Sequence, residues 1–172
     1  MAEQTHLYDA GSWIVHRHHG VGEIQCIEEK SLGGAATSYY KVVTADSTLW
    51  VPLTDADEEL FRPLASQEEF EQVLAILQRP PREMAQNHLS RRSRINNVRA
   101  ENSLEEVARL LRDLWGRRAE RQLNNTEERA LRRLTGRLLS EWCVAHNVDE
   151  AEAEDRMRNL LEKGLHDATE LA

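Results

Sequence analysis

Near residue 66 the hydrophobic pattern of this chain changes period, and no other feature constrains its fold as much. From Ser12 to Leu53 the apolar residues come in short alternating runs, SWIVH, VGEIQCIEE, SYYKVV and TLWVPL, separated by HHG, SLGGAAT and TADS. Alternation of this kind, broken at glycine and small polar residues, marks strands joined by tight turns. Strands this short and this closely spaced cannot build an ordinary two-layer sandwich, so a small, strongly bent barrel is the expected solution. Gly20 and Gly22 allow the second strand to leave a turn and bend with no side chain in the way.

From Ser66 onward the period is helical. Ser66–Gln67–Glu68–Glu69 reads as a capping box, and Phe70, Val73, Leu74 and Leu77 follow on one face. That helix ends by Arg79, where Pro80 and Pro81 stop it. A second helix runs through HLSRRSRINNVRA. A third opens with a capping box at Ser103 and Glu106 and turns Leu104, Val107, Ala108, Leu111, Leu114 and Trp115 inward. A fourth starts near Asn125 or Thr126 with Leu131, Leu134, Leu138 and Trp142 inward, and a fifth follows Asp149. The predicted class is α+β: a β-barrel over residues 1–66, a connecting helix and Pro-Pro joint over 67–81, and an all-α bundle over 82–172.

Charge is distributed as unevenly as periodicity. The chain carries a formal net charge of -8, yet residues 82–137 hold 14 bases against 8 acids, and every one of those bases is arginine. Arginine's planar fork suits phosphate and its charge does not titrate away, so overall acidity does not exclude a nucleic-acid partner. No run reaches membrane-span length, and the N-terminal MAEQTHLYDA lacks the basic flank and apolar stretch of a signal peptide, so a cytoplasmic protein is expected. Cys26 and Cys143 form no CxxC pair and read as buried thiols.

His16, His18 and His19 invite a metal-site reading. On a strand, however, His16 and His18 face one way and His19 the other, and the run ends at a hairpin turn into Gly20. Polar turn residues are the simpler account. No Ser-His-Asp order, HExxH or phosphate-binding glycine loop occurs, and acidic pairs such as Glu58–Glu59 read as solvated surface, so neither a catalytic site nor a cofactor is expected.

The same stretch carries a resemblance. GSWIVHRHHGVGEIQCIEE, with SYYKVV and TLWVPL, resembles the RNA polymerase-interacting module of bacterial CarD-like regulators and of transcription-repair coupling factors, through Gly11, Val15, His16, His19, Gly20, Val21, Gly22, Val51 and Pro52. SRRSRINN and LRDLWGRRAERQLNNTEERALRRL are similar to the helical half of CarD, and the resemblance spans roughly residues 11 to 165. It implies a non-enzymatic transcription regulator, a monomer associated with the nucleoid through RNA polymerase. A Tudor-like barrel would add its edge strand to the polymerase β-subunit, and the helical half would touch promoter DNA at the upstream edge of the bubble, through phosphates and the minor groove.

The resemblance places two β-subunit contacts at Lys30 and Trp50, where Trp50 replaces a basic residue and reads equally as an exposed edge anchor or a core residue. It places the family's minor-groove tryptophan at Leu89, just before Ser90–Arg91–Arg92. Leu89 is then either a smaller wedge or a residue that packs the start of its helix. Arg91, Arg92 and Arg94 are the implied phosphate contacts, assisted by Arg117 and Arg118, and His19 is expected to pack the hairpin turn. An adaptor that binds polymerase without engaging DNA is the alternative function.

Overall fold

A computed structural model of the chain describes residues 7–31, 34, 36–53 and 60–170. Glu58 and Glu59 lie outside the described residues. Two compact units are present, residues 1–64 and residues 65–172.

In the first unit, β1 (Trp13–His16), β2 (Gly20–Ser31), β3 (Ala36–Thr44), β4 (Thr48–Pro52) and β5 (Phe61–Pro63) form one antiparallel sheet in the order β4-β3-β2-β1-β5. Among the described residues β4 and β5 are its two edges and do not pair with each other, so the sheet is open where a closed barrel was expected. The three-residue β5 is used up in pairing with β1.

The β1–β2 hairpin turns through Arg17–His19 into Gly20, whose φ of 75° lies in the left-handed region that glycine occupies without strain. Gly22 is needed for a different reason: a Cβ there would come within 2.7 Å of Val42 Cγ1 on the neighbouring strand. The pairing of β2 with β3 shifts register between Ile24 and Cys26. A bulge of this kind inserts one unpaired residue, here Gln25, and reverses which face the following side chains take. Ile24 and Ile27, three apart, therefore both point to a core of Ile14, Tyr40, Val42, Val51 and Phe61, while Cys26, Glu28 and Lys30 turn to the opposite face.

The second unit comprises α1 (Gln67–Leu77), α2 (His88–Glu101), α3 (Leu104–Glu120), α4 (Asn125–His146) and α5 (Glu150–Glu170). Ser66 and Glu69 form the full capping box of α1. At α3 only half of it forms: Ser103 accepts from the Glu106 amide, but the Glu106 carboxylate turns to Arg109 one turn on. Asn124 and Glu127 supply a capping box for α4. Asn102 and Asn147, at φ of 55° and 51°, end α2 and α4 in the left-handed conformation that asparagine tolerates best after glycine.

One apolar cluster runs through all five helices, from Phe70, Val73, Leu74 and Leu77 to Leu111, Leu114, Leu138, Trp142, Met157 and Leu161. The helix expected as a connector is thus part of the core of the second unit. Trp142 is fully buried and Trp115 packs partly buried against the same cluster. The proline segment is clamped on both sides. A Cβ on Gly116 of α3 would lie 2.4 Å from Pro81 Cβ, and one on Gly164 of α5 would lie 2.6 Å from the Arg79 carbonyl oxygen. Both cysteines are free and half-buried. Among the described residues no helix is long and apolar enough to cross a membrane.

Candidate functional site

The parity change at Gln25 sets the outer face of the sheet. Lys41 pairs with Cys26 on one side and Trp50 on the other, so these residues share a face with Glu28 and Lys30. Trp50 lies on the edge strand β4 and is 42% exposed, which settles it as a surface residue rather than a core one. Its indole Nε1 donates to Glu28 Oε2 at 2.8 Å, and the Lys30 ammonium sits 3.5 Å from its ring centroid. Glu28 also pairs with Lys41 at 3.4 Å and Lys30 at 3.8 Å. The bond from Trp50 holds the Glu28 carboxyl below its ordinary pKa, with the two lysines assisting. An exposed aromatic held by a carboxylate and capped by an ammonium is a preorganised anchor, with the unpaired edge of β4 beside it. Glu28 and Lys41 escape a reading of the sequence because their membership depends on the bulge; the signal was the three-residue spacing of Ile24 and Ile27.

The histidine turn is organised chiefly by His16, with the His19 ring packed on it at a centroid distance of 4.8 Å. His16 is 5% exposed, and its Nδ1 accepts from the backbone amides of His18 and His19 at 3.0 and 3.3 Å; His19 is exposed. The His16 ring packs edge-on to Phe61 at 5.4 Å. Burial, and then the charges of His19 and His18, push its pKa down to about 4. A neutral imidazole that accepts two amides is a turn-locking group, and a metal at Nδ1 would have to displace both bonds. Among the described residues no three His, Cys, Asp or Glu side chains converge in metal-binding geometry.

At the start of α2 the side chain of Asn87 accepts from the Leu89 amide at 2.8 Å and caps the helix. Leu89 is 59% exposed, so it does not pack the start of its helix. Helical geometry then sorts the arginines. Arg91, Ile95 and Val98 lie on the inward face, whereas Arg92, three residues after Leu89, points out with it. Arg91 is 6% exposed; its Nε donates to Glu127 Oε1 at 2.5 Å and one terminal nitrogen donates to the carbonyls of Ala85 and Gln86 at 2.7 and 2.6 Å. It offers no face to an external phosphate in this conformation. Its contacts tie the segment before α2 to the first turn of α4.

Arg117 is nearly buried, with Nε 3.5 Å from the other Glu127 oxygen. Burial would raise the Glu127 pKa, but the bond from Arg91, the Asn124 amide and the arginine charges outweigh it and hold the carboxyl low. Arg94 is partly exposed and donates to Asp113 at 2.7 Å, while Asp113 also accepts from Arg112 and from the Arg82 amide. Arg92 is exposed and forms no ion pair among the described residues, and Arg118 is exposed with its guanidinium 5.8 Å from the Trp115 ring. The arginines expected on DNA therefore divide: Arg92 and Arg118 are presented, Arg94 is half held, and Arg91 and Arg117 are engaged internally. Asp113 and Glu127 make that division. Their sequence signal was position, since each acid sits on the mostly apolar inward face of its helix.

Comparison with known families gives two matches that together span most of the chain. The CarD C-terminal domain matches residues 72–158, and the CarD-like/TRCF RID domain matches residues 8–64.

Proposed function

The chain belongs to the CarD family of RNA polymerase-interacting transcription regulators, and on that premise we propose that it docks on the polymerase β-subunit and stabilises the open promoter complex. Its sheet is read as a Tudor-like module whose β4 edge receives a strand of the β-subunit, with Trp50 and Lys30 as the side-chain anchor. The start of α2 meets promoter DNA at the upstream edge of the bubble: Leu89 enters the minor groove, Arg92 and Arg118 contact phosphates, and Arg94 contributes from its bond to Asp113. Arg91 and Arg117 serve as positioning residues behind that surface. This reading makes the protein a cytoplasmic, non-catalytic monomer.

The observation that supports it is Leu89. A leucine exposed at 59% on a capped, well-anchored helix start has no folding role to explain it, and it stands one turn from an unpaired arginine. Leucine is an accepted minor-groove wedge, smaller than tryptophan and unable to stack on a base. The adaptor reading draws on the internal pairing of Arg91 and Arg117 and on the net charge of -8.

Open-complex lifetime with cognate polymerase separates the two. Leu89→Ala shortens the lifetime and leaves polymerase affinity and melting temperature unchanged. Leu89→Trp lengthens it, by the equivalent of about 1–3 kcal/mol if the ring stacks on a base. A lifetime insensitive to both substitutions, in folded proteins, selects the adaptor.

A further inference from the structure

The α2–α4 boundary carries a charge arrangement that folding does not account for. A cleft of about 360 Å³ opens there, lined by His88, Arg92 and Ile95 of α2 and by Asn124, Asn125, Thr126 and the Arg91-bound Glu127 at the start of α4. The first amides of α4 are already bound by the Asn124 side chain, so the floor of the cleft is not an anion site. Its flank is different. Arg92 and Arg99 lie two turns apart on α2, and Arg133 follows Thr126 by two turns on α4; all three are exposed and have no ion pair among the described residues. α2 packs against α4, and burial first, then the charge of Arg99, lowers the pKa of Arg133. A helix end favours a cation and so accounts for Arg99 in the last turn of α2. It does not account for a second unpaired arginine presented beside it from the middle of α4, which packs against α2. Like charges placed together without a carboxylate destabilise a fold, and an external anion is what relieves them.

We propose that Arg92, Arg99 and Arg133 form a track for the phosphates of duplex DNA, which carries the protein–DNA contact away from Leu89 along α2 and onto α4. The proposal rests on the reading that α2 begins at promoter DNA. Ten residues of helix separate Leu89 from Arg99, a rise of about 15 Å. That exceeds the roughly 6 Å width of a minor groove, so a helix that enters the groove at Leu89 has its far end over a phosphate backbone. Contacts of this kind fix register and carry no sequence information.

The test is the salt dependence of binding to a fluorescein-labelled DNA duplex, using the full chain. Arg99→Gln with Arg133→Gln is compared with Arg158→Gln plus Lys163→Gln, which removes the same charge from the exposed surface of α5. Loss of two phosphate contacts makes the log-log slope shallower by about 1.8, while the control pair leaves it unchanged. Polymerase affinity stays the same, and Arg133→Gln alone does not lower the melting temperature, because glutamine is nearly as good a helix former and the repulsion is relieved. An unchanged slope in a double variant that folds, with wild type showing salt-dependent binding, overturns the track and leaves the wedge standing. An equal fall in the control pair also overturns it, as general attraction without a site. Wild type with no salt-dependent binding removes the DNA reading itself, and the track with it.

Discussion

On the outer face of the sheet, one half-exposed carboxylate, Glu28, gathers Trp50, Lys30 and Lys41 around itself in contact with solvent. In the helical unit the same device is inverted, because Glu127 and Asp113 are buried and draw arginines inward from two helices, α2 and α3. Exposed pairs are weak, screened by salt and free to exchange partners. Buried ones cannot be broken singly without stranding a charge, so they hold geometry. Under the proposed function this contrast separates two styles of recognition: a docking face that can re-pair its charges with a partner strand, and a DNA face whose free arginines are positioned by others that stay in the core.

The largest effect should come from attacking the buried hub. Arg91→Ala takes the shortest donor from the buried Glu127 carboxylate and strands two carbonyls, and a destabilisation of about 3–5 kcal/mol is expected in denaturant unfolding. DNA binding should fall with it through loss of the Leu89 geometry, whereas binding of the sheet unit to the polymerase β-subunit should persist. A small stability loss would mean that the hub does not hold the helical unit together.

On the sheet the expectation reverses. Trp50→Ala should leave stability almost unchanged and cost about 2 kcal/mol in polymerase affinity, roughly 30-fold in Kd, as a desolvated aromatic anchor does. Lys30→Glu should weaken binding less, through charge reversal at the rim of the same anchor. Glu28→Gln should leave the melting temperature unmoved, since its partners are all solvated. Calorimetry on the three variants, paired with a β-subunit binding assay, ranks them; a melting temperature sensitive to Glu28→Gln would erase the distinction between the two hubs.

Acid should separate the units as well, with a smaller signal. The folded pKa of His16, about 4, lies below its unfolded value near 6.5, so the unfolded state binds more protons between those values. Stability of the sheet unit is then complete above about 6.5 and declines as pH falls toward 4. Glu127 is also held low, but as a carboxylate its contribution is present above its unfolded pKa and is lost only as pH drops through the lower folded value. The helical unit should therefore hold through the window in which the sheet weakens. His16→Ala should abolish that slope at the cost of the turn; His19→Ala should only reduce it, since burial is the larger cause and the His19 charge the second.

Much of this architecture is local and was legible residue by residue. The change of period at Ser66, the capping box it forms with Glu69, the glycine that takes a positive φ at the hairpin and the stop at Pro80–Pro81 depend on neighbours a few positions away. Such features follow from backbone sterics and short-range hydrogen bonds, which the sequence alone specifies. The helical starts at Asn125 and Glu150 were within reach for the same reason.

What tertiary structure decided is which side chains are left over. An arginine-rich helix displays the same residues whichever ones are paired, and only the buried Glu127 of α4 withdraws Arg91 and Arg117, and Asp113 of α3 holds Arg94, while Arg92 is left presented. On the sheet, a single unpaired residue at Gln25 exchanged inside and outside for the rest of β2 and put Glu28 beside Trp50, residues 22 positions apart in the chain. Pairing between distant residues depends on the whole packed fold, whereas caps and turns depend on the chain at hand; the sequence by itself therefore determined the elements, and packing determined the surfaces they present.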